Sequence, residues 1–221
     1  MRRRTFRAVF AGGVLAVAIV SALAISANNG GGGSDQSNLD GEPQSTFNRS
    51  DPGGPFLLTN HRGDTVTDAE FRGRYMLVFF GYTHCPDICP MTLSEVTSTL
   101  DLLGKDAAAI APLFVTVDPL RDPPEVLAEY VGYFHPSIVG LSGTPDQIAD
   151  MAEAYRATYE QVPIESTGDA DDAIDYSVDH SAFVYLMGPA GEFRTAFAFG
   201  TTPEKMARGI RRELDAEVPT Q

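Results

Sequence analysis

Two cysteines with a spacing of four residues, Cys85 and Cys89, are the only cysteines in the chain. Residues four apart lie one above the other on a helix, so a helix that starts near Cys85 or Pro86 would point both sulfurs the same way. Free N–H groups and the helix dipole at such an N-terminus favour a negative charge and lower the pKa of a thiol. We therefore expect partly ionised sulfurs that could bind a soft metal, exchange electrons as a disulfide, or form a structural bond.

The spacing of this pair argues against a purely structural disulfide. Exported proteins with two cysteines often contain such a bond. A bond within one helical turn, however, closes a very small loop and removes little conformational entropy from the unfolded chain. We therefore expect the cysteines to do chemistry, either as metal ligands or as a redox-active catalytic pair.

The elements around the cysteines alternate between strands and helices. The pattern predicts an N-terminal hairpin at 56–67, strands at 76–80, 111–117, 138–141, 182–187 and 193–199, and helices at 91–103, 125–134, 144–158 and 202–216. Strands that alternate with helices predict the α/β class with a largely parallel central sheet. The antiparallel hairpin and helix at the end are what a thioredoxin-like fold would show. Ligands collect at the carboxyl ends of parallel strands, where Cys85 stands.

The first 27 residues predict a membrane segment. They hold four arginines close to the start, followed by an uncharged apolar stretch at 8–27 that is long enough to span a bilayer. The arginines should stay in the cytoplasm, which would place the domain on the extracytoplasmic side. A cleaved signal is the alternative, and Arg3 with Arg4 resembles a twin-arginine export signal. We expect a flexible Gly-rich linker at 28–50 and a folded domain at 51–216.

The charge of the chain limits its partners. The formal net charge is -14, which makes nucleic acid an unsuitable partner and suits a basic or cationic one. An acidic stretch at 159–178 is expected to be a solvated loop or a loose hairpin. The alternative for this stretch is a docking surface for a positively charged partner.

Four stretches in combination resemble the Sco/SenC proteins, which are thioredoxin-like copper chaperones of cytochrome c oxidase assembly. The stretches are Gly-Tyr-Thr-His-Cys-Pro-Asp-Ile-Cys-Pro at 81–90 and those at 113–122, 139–145 and 176–181 with 185–189. They follow the order and approximate spacing of the family, and the resemblance covers about residues 51–214. It implies one copper ion per chain, bound by Cys85, Cys89 and His180. The family has an N-terminal membrane anchor with its domain outside the cytoplasm, and the predicted membrane segment of this chain also matches that arrangement.

The chemistry of this ligand set agrees with copper. Thiolates select Cu(I), and an imidazole suits copper as either Cu(I) or Cu(II). A structural zinc site would require a fourth protein ligand, and only three residues come together here. His84 is the alternative nitrogen donor because it adjoins Cys85, but it precedes the helix and is expected to point elsewhere. His180 is favoured by the resemblance and by its place just before a strand of the same sheet.

The remaining polar candidates are assigned outer or structural roles. Asp179 adjoins His180, and Asp118 ends a strand expected beside the cysteine strand, so either could orient the imidazole. The alternative is that Asp118 caps its loop and Asp179 is solvated. His61 stands in a turn and is expected to be solvated, and His135 ends a predicted helix and is expected to be structural.

Two functions follow as hypotheses. A metallochaperone would receive copper from an unknown donor and deliver it to the binuclear copper site of cytochrome c oxidase subunit II. It would not be an enzyme. The alternative is a thiol–disulfide oxidoreductase that reduces the cysteines of that copper site, which would need Cys85 and Cys89 but not His180.

Overall fold

The computed structural model describes residues 51–163 and 176–217. The predicted membrane segment at 1–27, the linker at 28–50 and the middle of the acidic stretch lie outside these residues. Among the residues that the structure describes, no helix combines the length and the apolarity needed to cross a membrane. The strands are β1 Leu57–Asn60, β2 Thr65–Thr67, β3 Tyr75–Gly81, β4 Ile110–Thr116, β5 Val139–Ser142, β6 Tyr159–Pro163, β7 Tyr176–His180, β8 Phe183–Met187 and β9 Phe193–Ala198. The helices are α1 Ile88–Leu103, α2 Pro124–Val131, α3 Pro145–Tyr155 and α4 Pro203–Glu217.

Seven of the strands form one mixed sheet in the order β2-β1-β5-β4-β3-β8-β9. The central strands β3, β4 and β5 are parallel, and the other pairs in this sheet are antiparallel. The structure thus confirms the predicted α/β class, and it contains the predicted N-terminal hairpin, β1–β2. The strands β6 and β7 pair with each other in a separate two-stranded sheet.

The two central strands explain why their sequences are apolar throughout. Every residue of β3 and of β4 is buried. Parallel strands that helices cover on both faces lose the alternation of apolar and polar residues. These strands therefore form a rigid core layer, and the carboxyl end of β3 leads directly into the turn before Cys85.

The start of helix α1 matches neither expectation, since the helical pattern predicts 91 and alignment of the two sulfurs would need a start near Cys85 or Pro86. The helix starts at Ile88, so Cys85 and Pro86 precede it and only Cys89 lies within its first turn. The N–H of Cys85 donates to the carbonyl of Tyr82, a turn contact that keeps this part of the chain out of the helix. The buried face of α1 includes Cys89 and Leu93. The helix ends, as predicted, at Gly104, which has a φ of 59°.

Three other expectations need correction. Helix α2 ends at Val131 rather than at Phe134. Helix α3 ends at Tyr155 rather than near residue 158, because Arg156 adopts a left-handed φ of 56° and the N–H of Ala157 closes the end on the carbonyl of Ala152. His61 is half-buried rather than solvated. Its Nδ1 accepts a 3.0 Å hydrogen bond from the N–H of Gly140, which extends the pairing of β1 with β5.

Candidate metal centre

A close approach at the end of β3 places the sulfur of Cys89. The Sγ atom of Cys89 packs against the α-carbon of Gly81, the last residue of β3. A β-carbon at residue 81 would lie 2.8 Å from this sulfur and 2.8 Å from the ring of Phe114. Glycine is thus required at this position because of space, since any side chain would displace the buried sulfur.

A buried carboxylate fixes the turn that leads to Cys85. Asp122 accepts hydrogen bonds of 2.9 Å from the N–H of Thr83, 2.6 Å from its hydroxyl and 2.6 Å from the hydroxyl of Thr116. The side chain of Asp122 is fully buried. The loop after β4 therefore holds the loop after β3 through one side chain. Sequence reasoning missed this residue, although it follows Asp118 in a second Asp-Pro pair at the same strand end.

The nitrogen of the site comes from the end of β7. The Nε2 atom of His180 lies 3.2 Å from the sulfur of Cys89, and its Nδ1 lies 3.3 Å from the carbonyl oxygen of Ser181. A carbonyl can only accept a hydrogen bond, so the tautomer with its proton on Nδ1 satisfies this contact and leaves the lone pair of Nε2 toward the sulfur. The rings of Phe79 and Tyr82 stand edge-on to the imidazole, each with a centroid distance of 6.0 Å.

These three side chains form a compact ligand group. The ligand atoms of Cys85, Cys89 and His180 all lie within 4.8 Å of one another, so one ion could contact all three. Within 51–163 and 176–217 they are the only set of three or more His, Cys, Asp or Glu side chains placed to hold a metal ion. The group contains two sulfurs and one nitrogen, which is a donor set that suits copper.

The two cysteines have different environments. Neither cysteine forms a disulfide, and Cys85 is half-buried whereas Cys89 is buried. Hydrogen bonds from the side chain of Cys89 and from nearby backbone N–H groups outweigh the effect of burial and lower the pKa of Cys85 from 9.0 to about 4. The thiolate of Cys85 and the burial of the second sulfur raise the pKa of Cys89. Cys85 is therefore the thiolate of the pair, and Cys89 holds the proton.

One side of the ligand group opens on a cavity of about 470 Å³. Its walls include Tyr82, Cys85, Ile88 and His180. The exposed carboxylate of Asp179 also lines this cavity and gives it a negative charge. A cation could thus enter and leave from this side, while the opposite side is closed by the buried Cys89.

The other predicted candidates are not members of this group. His84 is exposed, and its Nδ1 contacts the hydroxyl of Thr83 at 3.0 Å. His135 pairs with the hydroxyl of Ser137 at 2.7 Å. Asp179 is exposed and lies opposite Glu160 in the β6–β7 hairpin.

The buried carboxylate of Asp118 is also engaged elsewhere. It accepts hydrogen bonds from the Nε of Arg121 and from the hydroxyl of Tyr176, the latter at 2.6 Å. The imidazole of His180 is contacted by the carbonyl of Ser181 instead. Arg121, Tyr176 and Ser181 are residues that sequence reasoning missed. No local signal could have found the contact of Arg121 with Tyr176, because 55 residues separate them.

Comparison with known proteins identifies relatives over most of this domain. A family model described as SCO1/SenC matches residues 44–215. Protein sco1 of Schizosaccharomyces pombe is 42% identical over 166 residues, which are 75% of this chain and 62% of that protein. The mitochondrial SCO1 homolog of Homo sapiens is 39% identical over 164 residues, which are 73% of this chain and 52% of that protein. The chain thus matches between about half and three-fifths of the length of these two relatives.

Solved structures with the same fold include some that contain copper. Bradyrhizobium japonicum ScoI with copper bound is 42% identical, with a TM-score of 0.65 over 73% of this chain and 98% of that one. Yeast Sco1 with copper bound is 36% identical, with a TM-score of 0.67 over 77% of this chain and 92% of that one. The family model and these relatives cover the strands, the helices and the ligand group described above, and the chain belongs to the SCO1/SenC family.

Proposed function

We propose that this chain binds one copper ion through Cys85, Cys89 and His180 and delivers it to the binuclear copper site of cytochrome c oxidase subunit II. The observation that supports this most directly is the group of two sulfurs and one imidazole nitrogen, all within 4.8 Å of one another beside an open cavity. The copper-bound relatives at 42% and 36% identity support the choice of metal.

The three ligands would have different parts in uptake. Cys85, already a thiolate, would contact the incoming ion first from the open side. Cys89 would bind next and release its proton to solvent, because only a thiolate ligates the metal. The free lone pair of His180 Nε2 would complete a three-coordinate site. Thiolates favour Cu(I), while the imidazole would also allow Cu(II).

An open coordination side suits a transfer protein. A partner that offers its own ligands from the cavity could replace the three ligands one at a time, so the ion would never be free in solution. We propose subunit II of the oxidase as the acceptor, with a separate protein as copper donor. The domain would work on the extracytoplasmic side, next to the membrane in which residues 1–27 would be inserted.

Copper titration of the reduced full chain tests this function. We expect one copper per chain, and a binding affinity that falls sharply in both His180→Ala and Cys85→Ser. His84→Ala is the matched control, because this exposed histidine adjoins Cys85 and lies outside the ligand group. Affinity that is unchanged in His180→Ala, or lost only in His84→Ala, would reject the three-ligand site.

A second candidate function is a thiol–disulfide oxidoreductase acting on the same oxidase subunit. The observation that favours it is the pairing of a half-buried thiolate, Cys85, with a buried thiol, Cys89, which suits attack by the first sulfur and resolution by the second. In the reaction, Cys85 would attack a substrate disulfide and Cys89 would then displace the reduced product. Reductase activity that survives in His180→Ala while copper binding is lost would separate the two functions.

A further inference from the structure

The hairpin that carries His180 is a separate part of the sheet architecture. In the part of the chain that the structure describes, β6 and β7 are hydrogen-bonded to each other and not to the seven-stranded sheet. The cysteines, by contrast, lie on a turn and a helix that pack against the central strands. The distance between the imidazole and the two sulfurs therefore depends on what holds this hairpin against the main domain.

One end of β7 is held by its chain connection. His180 ends the strand, and β8 of the main sheet begins three residues later at Phe183. Tyr176, at the other end, lies four residues away, which is about 13 Å along a strand. The middle of β7 is held by Val178, which is buried in the core, so a contact at Tyr176 would fix the remaining end of the strand.

Such a contact is present at Tyr176. The guanidinium of Arg121 stacks on the ring of Tyr176, and the distance from the Arg121 Cζ to the ring centroid is 3.7 Å. The Nη1 of Arg121 also donates a 3.1 Å hydrogen bond to the Tyr176 carbonyl. The Tyr176 hydroxyl donates a 2.6 Å hydrogen bond to Asp118. Arg121 in turn donates its Nε to the other carboxylate oxygen of Asp118. We call Asp118, Arg121 and Tyr176 the hairpin clamp.

The clamp is well built to fix one geometry. The side chain of Asp118 is fully buried and that of Arg121 is 17% exposed. A buried ion pair contributes little net stability, because desolvation of the charges offsets their attraction. Its directional hydrogen bonds and the flat stack of guanidinium on ring instead restrict how the partners can lie. The loop after β4 and the far end of the hairpin are thereby held in one relative position.

The clamp also reaches the imidazole through a second aromatic ring. The Cζ atom of Arg121 lies 5.8 Å from the ring centroid of Tyr82, and Tyr82 stands edge-on to His180 at 6.0 Å. Tyr82 also has a hydrogen bond with the backbone of Val178, in the middle of β7. A continuous set of packed groups thus runs from the clamp to the nitrogen ligand.

We propose that Asp118, Arg121 and Tyr176 are positioning residues that set copper affinity by holding His180 against the two cysteines. This inference rests on the proposed copper site. It predicts that loss of the clamp weakens the contribution of the imidazole and leaves the sulfurs in place. Residues of this kind, which orient a metal ligand without touching the metal, commonly change affinity by about 10-fold to 100-fold.

The test replaces the member of the clamp that can be removed with least harm. Tyr176→Leu removes the stack and the hydroxyl, yet it leaves the Asp118–Arg121 ion pair intact, so the domain should still fold. Tyr176→Phe is the conservative variant, because it keeps the stack and loses one hydrogen bond. Tyr133→Leu is the control, since that tyrosine is 74% exposed and follows the end of α2 at Val131.

We expect Tyr176→Leu to weaken copper binding about 10-fold, with Tyr176→Phe in between and Tyr133→Leu unchanged. In the copper-free chain, hydrogen exchange at the amides of β7 should become faster in Tyr176→Leu, while the amides of β3 keep their protection. The Cu(II)–thiolate absorption should shift in Tyr176→Leu as the nitrogen ligand moves, whereas a purely structural loss would lower its amplitude only.

A double-mutant cycle with His180→Ala decides the mechanism. If the clamp acts through the imidazole, Tyr176→Leu should change copper affinity by less than about 2-fold once His180 is absent. The inference is overturned by equal affinities in Tyr176→Leu and the unmodified chain, or by the same loss in both backgrounds. If His180→Ala binds copper as tightly as the unmodified chain, the proposed three-ligand function fails instead. In that case the clamp is tested by hydrogen exchange alone, and amide exchange in β7 that is unchanged in Tyr176→Leu would overturn it as well.

Discussion

At the scale of single residues, the two cysteines are unequal although their sequence positions look alike. Cys85 stands before the helix and receives hydrogen bonds, whereas Cys89 is buried against Gly81 within the first turn. Hydrogen bonds to a thiolate stabilise its charge, whereas a neighbouring thiolate and burial penalise a second negative charge. The site is therefore prepared for copper with one negative charge already present.

The pH dependence of alkylation tests this inequality. The pKa of Cys85 is lowered from 9.0 to about 4, so the reactive thiolate should be present at pH 6 and disappear only as the pH falls through about 4. We expect iodoacetamide to modify Cys85 of the reduced, copper-free chain at pH 6, as read by peptide mass spectrometry. Cys85→Ser should remain unmodified at that pH. Labelling that rises only near pH 9, or that falls mainly on Cys89, would contradict the assignment.

Substitution of Gly81 tests the close approach beneath the buried sulfur. In Gly81→Ala the new methyl group would lie 2.8 Å from the Cys89 sulfur and from the Phe114 ring, so the packed core must shift. Overpacking of this kind costs about 1–3 kcal/mol. We expect a lower free energy of unfolding in urea together with weaker copper binding. Unfolding that matches the unmodified chain would show that the sulfur moves freely.

At the scale of elements, the site depends on loops that hold one another. The turn after β3 carries Cys85, the loop after β4 carries Asp122, and the hairpin β6–β7 carries His180. Loops are the least constrained parts of most folds. Here buried carboxylates connect them, so the ligand group can be preorganised without lying on regular structure alone.

Removal of Asp122 should loosen the cysteine turn. Asp122→Ala would leave the N–H of Thr83 and the hydroxyls of Thr83 and Thr116 without their buried acceptor. Each unsatisfied group costs about 1–3 kcal/mol, and the costs are only partly additive. We therefore expect the free energy of unfolding to fall by about 2–3 kcal/mol. Urea unfolding measures this, and hydrogen exchange at Thr83 should become faster.

Asp64→Ala provides the matched control for this prediction. Asp64 also accepts a side-chain hydrogen bond in a turn, from Asn60 at 3.2 Å, but it is exposed. Exposed substitutions of this kind usually change stability by less than about 0.5 kcal/mol. Equal effects of the two substitutions would mean that the buried network of Asp122 does not hold the turn.

At the scale of the whole molecule, copper would join parts that the backbone hydrogen bonds leave separate. The cysteines belong to the core of the main sheet, and His180 belongs to the two-stranded sheet. A metal that binds both should stabilise the native state, because it binds the folded ligand group more tightly than the unfolded chain.

Thermal unfolding with and without copper tests this coupling. At a free Cu(I) concentration about 100 times the dissociation constant, the native state should gain about 2.7 kcal/mol and the midpoint should rise. A chelator should reverse the gain. In His180→Ala the rise should be much smaller at the same copper concentration. A rise of equal size in His180→Ala would indicate that copper binds the cysteines without joining the hairpin.

Much of the architecture could be predicted from the sequence. The apolar runs at β3 and β4, Thr144 with Pro145 at the start of α3 and Gly104 at the end of α1 each have a local physical cause. The start of α1 and the end of α3 were predicted wrongly. Those boundaries depend on the contact of Cys85 with Tyr82 and on the left-handed conformation of Arg156, which periodicity does not show.

The sequence by itself determined the chemistry available to this protein: two sulfurs four residues apart, a small number of histidines, and an α/β order of elements. Side-chain types and their spacing along the chain are local properties, so they can be read directly. Only the tertiary structure decided that His180, 91 residues from Cys89, lies 3.2 Å from its sulfur, and that Asp118 turns to Arg121 and Tyr176. Contacts between distant loops depend on how the whole chain packs, and no local pattern encodes them.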